Sequence, residues 1–509
     1  MIILYNPQSS ANRKPVLPFA LLAVGAVLEG KYAYQIVDGN LESDPLARLD
    51  SLITNDKTGQ TILACTVMPG PQLQQAVPLC RELKRRHPRL ISVWGGYFPT
   101  QHWEACLRSD FVDYVVRGHG ELVFLQLLEY LHAGQPSPAS VSGLAYRSLV
   151  ADIGPQASDL ISISHLQSPI SNPLASIPHP KDLPAFNFDR LPLERYVRRT
   201  FLGSRTLGYH SSYGCPFFCN FCAVVNMVNG KWFPQTAAQV AETLRVYHDR
   251  WGVNAVEFYD NNFFVHEART AEFAERVMDL RISWWGEARI DTLLKYSPRS
   301  WKLMCDAGLR MIFMGAESGS METLARMDKG GTMSPEKTLE IARLMGTYNI
   351  VPEFSFVMGN PPDPEGDIRG TMEFIRNVKQ VNPRAEIIMY LYTPVPLAGD
   401  LYDEAQAEGF AFPKTLEEWV SPEWLNFSQR RSLTMPWMKQ PLQERLHDFE
   451  RVLNAYYPTS TDVKLGGAWR SVLRAVAAWR YHLRVYRFPL ELRALHRVIA
   501  YQRPETSGF

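Results

Sequence analysis

The chain has 509 residues, 46% hydrophobic and 21% charged, with a formal net charge of +1, which suits two or three globular domains and excludes a disordered, collagenous or strongly polyionic protein. Its seven cysteines are an odd number, three of them within one short run, which argues against a disulfide framework and for a reducing compartment. The start, Met1-Ile-Ile-Leu-Tyr-Asn-Pro, has no basic region followed by an apolar stretch and a cleavage site, and Phe19 to Leu28 is far short of the ~20 residues that span a bilayer, so a cytoplasmic protein without secretion signal or transmembrane segment is expected.

Residues 1–135 alternate short apolar strands, at Ile2–Tyr5, Tyr34–Val37, Thr61–Ala64, Leu90–Trp94 and Val112–Val116, with helical stretches. Such alternation predicts an α/β domain with a doubly wound, Rossmann-like parallel sheet. Turns containing Gln8, Thr66-Val67, Gly95-Gly96-Tyr97 and Arg117-Gly118 follow the strand ends, where ligands bind in open α/β sheets. Residues 136–203 are rich in Ser and Pro without sustained periodicity and read as a linker with some strand character.

From Arg205 the strand–helix rhythm resumes. Strands are predicted at Thr206–Ser211, Ala255–Tyr259, Ile282–Ala288, Arg310–Met314, Glu353–Val357 and Ile387–Tyr392. Helices are predicted over Ala237–Trp251 behind a Thr236 N-cap, and over Pro335–Tyr348 behind Ser334. Six units make a partial (β/α)6 barrel over 204–425, with its active site at the carboxyl ends of the strands. Tyr259, Asp260, Asn262, Glu353, Tyr390 and Tyr392 are the candidate substrate contacts at that mouth.

Between the first two of these strands lies Cys215-Pro-Phe-Phe-Cys219-Asn-Phe-Cys222, which offers three thiolates and withholds a fourth. A four-iron cluster held by three cysteines keeps one iron open to a ligand that is not protein. Zinc would want a fourth Cys or His close by, and the nearest histidines downstream, His248 and His266, fall in a helix and at a helix start.

The last part, 426–509, reads as helical and basic: Lys464 to Arg503 holds nine Lys/Arg and one acid, Glu491. Trp469, Leu473, Val476, Trp479, Leu483 and Tyr486 recur at helical spacing. Two readings stay open: the stripe packs on the enzyme and the arginines are solvated, which is preferred, or 464–503 makes a peripheral contact with an anionic membrane.

The Cys-x3-Cys-x2-Cys run, with the aromatic Phe221 before its last cysteine, resembles the signature of the radical S-adenosylmethionine (radical SAM) superfamily. That resemblance implies a [4Fe-4S] cluster on Cys215, Cys219 and Cys222, whose free iron is chelated by SAM. Gly315-Ala-Glu317-Ser318-Gly319 resembles the family's SAM-binding segment, with Glu317 pairing with the amino group. Arg289 is expected at the methionine carboxylate unless Asp291 or Glu287 engages it, and Gly359 at the adenosine. Tyr213 stands where relatives often carry Arg.

Asn6-Pro7, Pro18 before an apolar helix, Asp38-Gly39-Asn40, Gly95–Thr100 and Asp113–Glu121 together resemble the cobalamin-binding domain that precedes many radical SAM cores. Gln8, Cys65, Thr66, Val67, Gly95, Gly96, Tyr97, Arg117, Gly118 and Glu121 are then the expected corrinoid contacts. The Asp-x-His-x-x-Gly run that supplies a lower axial histidine elsewhere is missing, so a base-off corrinoid is implied; His102 and His119 are expected in surface loops or at helix starts. Cys65, Cys80 and Cys106 are read as core hydrophobes rather than ligands of a second cluster.

The two resemblances together imply a cobalamin-dependent radical SAM enzyme, most simply a methyltransferase acting on an unactivated carbon of a small molecule and served by an electron donor such as flavodoxin or ferredoxin. The alternatives are an anaerobic cyclase of the magnesium-protoporphyrin ester type and, in a different class, a cobalamin sensor on an inactive scaffold. A nucleic-acid substrate is not expected.

Overall fold

Seven strands and the helices between them build the first part of the chain. The computed structural model describes residues 1–9, 15–147, 169–328, 331–396, 399–428 and 435–499. It divides into Met1–Leu193 with Phe412–Gln429, and Glu194–Ala411 with Arg430–Phe509.

In the first unit β1 (Ile2–Asn6), β2 (Tyr34–Asp38), β3 (Ile62–Thr66), β4 (Ile91–Gly95) and β5 (Tyr114–Val116) run parallel in the order β2-β1-β3-β4-β5. This is the doubly wound sheet read from the sequence. Ile2 and Leu4 pack with the helices Phe19–Leu28 and Glu121–Ala133, through Leu21, Val27, Phe124 and Leu127. From the other face Tyr5 donates to Gln75 of the helix Pro71–Arg86 at 2.8 Å. The Ser/Pro-rich stretch adds β6 (Leu144–Arg147) and β7 (Pro169–Ser171), both antiparallel, to this sheet.

Segment 412–429 returns to this unit. Gln74 donates to the Val420 carbonyl at 2.7 Å, and Arg81 pairs with Glu417. His102, Phe98, Phe412 and Trp419 form one aromatic group with centroids 4.6 to 5.8 Å apart. His102 stands at the start of the helix Trp103–Leu107, as expected, and is half-buried within this group.

The second unit holds β8 (Thr206–Tyr209), β9 (Ser212–Gly214), β10 (Trp232–Pro234), β11 (Ala255–Phe258), β12 (Ser283–Ala288), β13 (Leu309–Glu317), β14 (Val351–Met358) and β15 (Glu386–Leu391). Six of them form a parallel sheet in the order β15-β14-β13-β12-β11-β8, while β9 and β10 make an antiparallel hairpin. This is the expected run of six strand–helix units. Thr236 and Gln239 cap the helix Ala237–Trp251 reciprocally, and Ser334 caps Pro335–Thr347 with Pro335 in its first turn.

Side-chain alternation sorts the strands' faces. Phe258 and Trp284 meet Phe263 and Phe273 on the helix side. Ala255, Trp285, Met311 and Val351 cluster with Leu202 on the other, inner face.

The carboxyl-terminal helices are Gln440–Tyr456, Gly467–Leu483 and Leu490–Val498. Leu473 and Tyr481 are buried, and Tyr481 stacks on Tyr456 with centroids 4.4 Å apart. The predicted stripe is split, however, because Trp469, Trp479 and Leu483 face outward. The preferred reading, in which the whole stripe packs on the enzyme, is corrected: the buried face is set by Leu473, Ala477 and Tyr481 instead. None of the described helices is long and apolar enough to cross a membrane.

Candidate active site

The β9–β10 hairpin closes the loop that carries the three cysteines. Gly214 sits at φ +84° immediately before Cys215, where a Cβ would strike the Lys231 carbonyl at 2.3 Å, so the turn demands glycine. Just beyond β11, Asp260 accepts from the Ser211 amide at 3.0 Å, from the Ser211 hydroxyl at 2.7 Å and from the Ser212 hydroxyl. Asp260 is fully buried and committed to holding the entry to the cysteine loop, which corrects its reading as a substrate contact. Asn220, inside the loop, donates its amide to the Met327 carbonyl at 3.2 Å.

The three thiols share one electrostatic neighbourhood. Burial raises the Cys215 thiol and pushes Cys222 up to about 12, and each feels the charge of Cys219. Arg289 directs Nη1 at Cys219 Sγ across 3.4 Å, stacks on Phe217 at 3.9 Å, and is locked by Asp291 through two 3.0 Å bonds. Of the two partners open in the sequence, Asp291 is the one engaged. Asn262 lies beside Cys215, yet neither atom of its buried amide has a hydrogen bond of normal geometry. A buried amide in that state fits a site whose occupant completes it.

Among the described residues no three His, Cys, Asp or Glu side chains converge to grip a bare metal ion. Three thiols in one neighbourhood, with a guanidinium against one of them, suit a cluster that brings its own iron and sulfide.

Glu317 is 6% exposed at φ +64°, where the β13–β14 register shifts, and its charge reaches Cys222. Of the residues expected at SAM, Glu317 thus lies near Cys222 and Arg289 against Cys219, with the Arg289 guanidinium engaged by Asp291. Phe221 is half-buried in the loop. Ser318 is buried beside Thr371 and Asp367. Gly359, at φ +78°, donates its amide to Asp367 and accepts at its carbonyl from Trp437 Nε1, and a Cβ there would meet Met438 Cε at 1.9 Å. The space that glycine leaves is filled by Met438, not left for adenosine.

The inner face carries Glu353, an expected substrate contact, together with two acids that were not expected there, Glu287 and Glu386. In register across the sheet stand Glu287, Phe313, Glu353 and Glu386. Glu386 accepts from Ser460 and Thr461, and Glu353 from Trp285 Nε1 at 3.2 Å. Among the described residues nothing bonds the Glu287 carboxyl, and burial followed by the Asp260 charge pushes it up to about 8. Glu353 is raised by burial and then by Glu386. Glu287 was considered in the sequence only as a partner for Arg289, although its two-residue offset from Trp285 puts it on the inner face.

The other substrate candidates divide. Tyr259 bonds Glu257 and Arg198, each at 2.6 Å, at the apolar floor around Trp285. Tyr392 is buried against Trp437, which corrects its expected place at the mouth. Tyr390 is half-buried in register with Val357.

In the first unit the expected corrinoid residues lie at the carboxyl ends of β1, β3, β4 and β5. A Cβ added at Gly95 would make ordinary contact with Val116 at 3.6 Å, and one at Gly118, at φ +78°, would meet only Leu174 at 3.8 Å. Gly96, at φ +95°, closes over Thr66 and Val67. Gln8 donates its amide to Gln75, Tyr97 opens a short helix, and Arg117 lies over Trp103 at 5.5 Å. A glycine floor at these ends fits a bulky planar ligand.

Cys65, Val67 and Glu121 are buried, so their side chains do not face such a ligand; Cys65 neighbours Cys80 and Cys106 in the core. Burial drives His102 down to about 4 and lowers His119 as well. His102, closed in by its aromatic neighbours, is no axial ligand.

Residues 209–375 match the family model of the Radical SAM superfamily, and residues 14–128 that of the B12 binding domain. An uncharacterized methyltransferase of Pyrococcus horikoshii is 23% identical over 385 residues, 74% of this chain and 78% of that protein. The anaerobic magnesium-protoporphyrin IX monomethyl ester cyclase of Synechocystis is 26% identical over 272 residues, 53% of this chain and half of that protein. Among solved structures, the radical SAM methyltransferase TsrM of Kitasatospora setae, determined with cobalamin and a [4Fe-4S] cluster bound, superposes with TM-score 0.63 at 15% identity, covering 98% of this chain and 99% of that one.

Proposed function

We propose, from the premise that this chain belongs to the radical SAM proteins with an N-terminal B12-binding domain, that it transfers a methyl group from SAM to an unactivated carbon of a small molecule. The observation that carries the reading is the three-thiol loop with Arg289 and Glu317 beside it, in a chain whose first unit offers a glycine floor at its strand ends. Bound in those places, the cluster supplies the electron that cleaves SAM and the corrinoid supplies a transferable methyl group.

The chain's own residues do the rest. Cys215, Cys219 and Cys222 hold the cluster, and Arg289, fixed by Asp291, keeps a positive charge against it. Glu317 takes the SAM amino group. The apolar floor around Trp285 and Met311 excludes water, while Glu287 and Glu353 orient the polar part of the substrate. A reduced flavodoxin or ferredoxin provides electrons, and the cytoplasm is the reducing compartment that suits the exposed cluster chemistry.

The test is anaerobic turnover with methyl-deuterated SAM and a panel of small molecules, read by mass spectrometry. The expected result is 5′-deoxyadenosine and S-adenosylhomocysteine together with a labelled methyl in the product. The likeness to the Synechocystis cyclase supports one alternative, which yields an oxidised product without label. No SAM cleavage at all would leave only a cobalamin-binding role.

A further inference from the structure

The helix Gly467–Leu483 buries Leu473, Ala477, Arg480 and Tyr481. Its outward side is apolar: Trp469 is 47% exposed, Val472 40%, Trp479 48% and Leu483 69%. At about 100° per residue these four and Val476 fall within an arc of about 80°, and no charged residue shares that arc. The apolar surface continues into the chain that follows, where Val485, Phe488 and Leu490 are also exposed.

The charge of this segment is mainly basic, although Arg484 pairs with Glu373 at 3.2 Å and Arg493 with Asp448 at 2.8 Å. Lys464, Arg487 and Arg497 are exposed, and none has a carboxylate partner among the described residues. Glu491, the only acid between 464 and 503, is held by Arg480 through Nε and Nη2. Contiguous exposed apolar surface of this kind marks an interaction site. Two outward tryptophans on a helix within a basic segment match what lies in a lipid interface, where the rings take the headgroup level and nearby cations meet anionic lipid. A protein partner would have to present both a long apolar groove and a surplus of acids; an anionic leaflet presents both without further design.

We propose that this face docks the protein on an anionic bilayer surface, with Gly467–Leu483 lying in the plane of the interface. The inference is independent of the reaction assigned above.

The test is flotation of the full, cluster-loaded protein with phosphatidylcholine vesicles, with and without about a third phosphatidylglycerol. The protein is expected to float with the anionic vesicles only. Trp469→Ser with Trp479→Ser is expected to weaken that binding at least ~tenfold, since both rings leave the lipid. Lys464→Glu with Arg487→Glu and Arg497→Glu is expected to abolish the preference for phosphatidylglycerol. Because every substituted side chain is exposed, melting temperature and cluster absorbance should match the parent, which separates lost docking from lost folding. Failure to float with either vesicle at low salt overturns the proposal. So does concentration-dependent self-association removed by the tryptophan substitutions without any vesicle binding, which would make a second copy the occupant.

Discussion

Arg289 meets Cys219 at 3.4 Å through Nη1 while Asp291 holds the guanidinium with two bonds of 3.0 Å, so a fixed positive charge stands against one thiol of the proposed cluster site. Charge and hydrogen bonds at the sulfurs set the potential of an iron–sulfur centre. Replacing Arg289 with Gln is expected to lower the cluster potential by on the order of 50 mV, because the more negative reduced form loses a cation. Arg289→Lys should shift it less. An electron paramagnetic resonance redox titration reads both, and unchanged potentials would remove Arg289 from this role.

Asp260 secures the same loop from below. Asp260→Ala leaves the Ser211 amide and two buried hydroxyls without their acceptor, at a cost of about 3 kcal/mol. Iron content after reconstitution should fall with it, and Asp260→Asn, which keeps part of the bonding, should retain more iron than Asp260→Ala. Iron analysis and urea unfolding report the two effects separately.

Glu287 makes stability depend on pH in a stated direction. Its carboxyl ionises near 4.5 when unfolded and near about 8 when folded, so between those values the native state holds a proton that the unfolded chain has lost. Stability therefore falls as pH rises through this window. Glu287→Gln should gain on the wild type by up to about 1.4 kcal/mol per pH unit across it. Chemical denaturation at several pH values checks this, and parallel curves would mean that Glu287 is ionised in the folded protein.

Gly359→Ala forces a methyl group onto Met438 at a positive φ, and is expected to destabilise by about 1–3 kcal/mol. Met438→Ala in the same chain should recover the steric share but not the backbone share. A thermal-melt double-mutant cycle separates them.

Most of the architecture was legible because strand alternation, caps and the three-cysteine spacing are local signals. Thr236, Ser334 and the six barrel strands stand where pattern alone puts them. What was not legible depends on contacts far apart in the chain. The return of Phe412 and Trp419 to His102 joins positions about three hundred residues apart, and no local period announces it. The choice of Asp291 over Glu287 by Arg289 is decided by the turn after β12, which sends the two acids to different sides. The carboxyl-terminal stripe was visible as a period, but a three- and four-residue period does not say which of two adjacent apolar arcs is covered, and Leu473 won over Trp469 and Trp479.

The measurement that tests the central claim most directly is anaerobic reconstitution of the whole chain with iron, sulfide and hydroxocobalamin, followed by visible and electron paramagnetic resonance spectra with and without SAM. A stoichiometric base-off corrinoid beside a SAM-responsive four-iron cluster is predicted, with Cys215→Ala losing the cluster and keeping the corrinoid. A cluster that forms while the protein refuses the corrinoid would contradict the methyltransferase account and leave a simpler radical reaction.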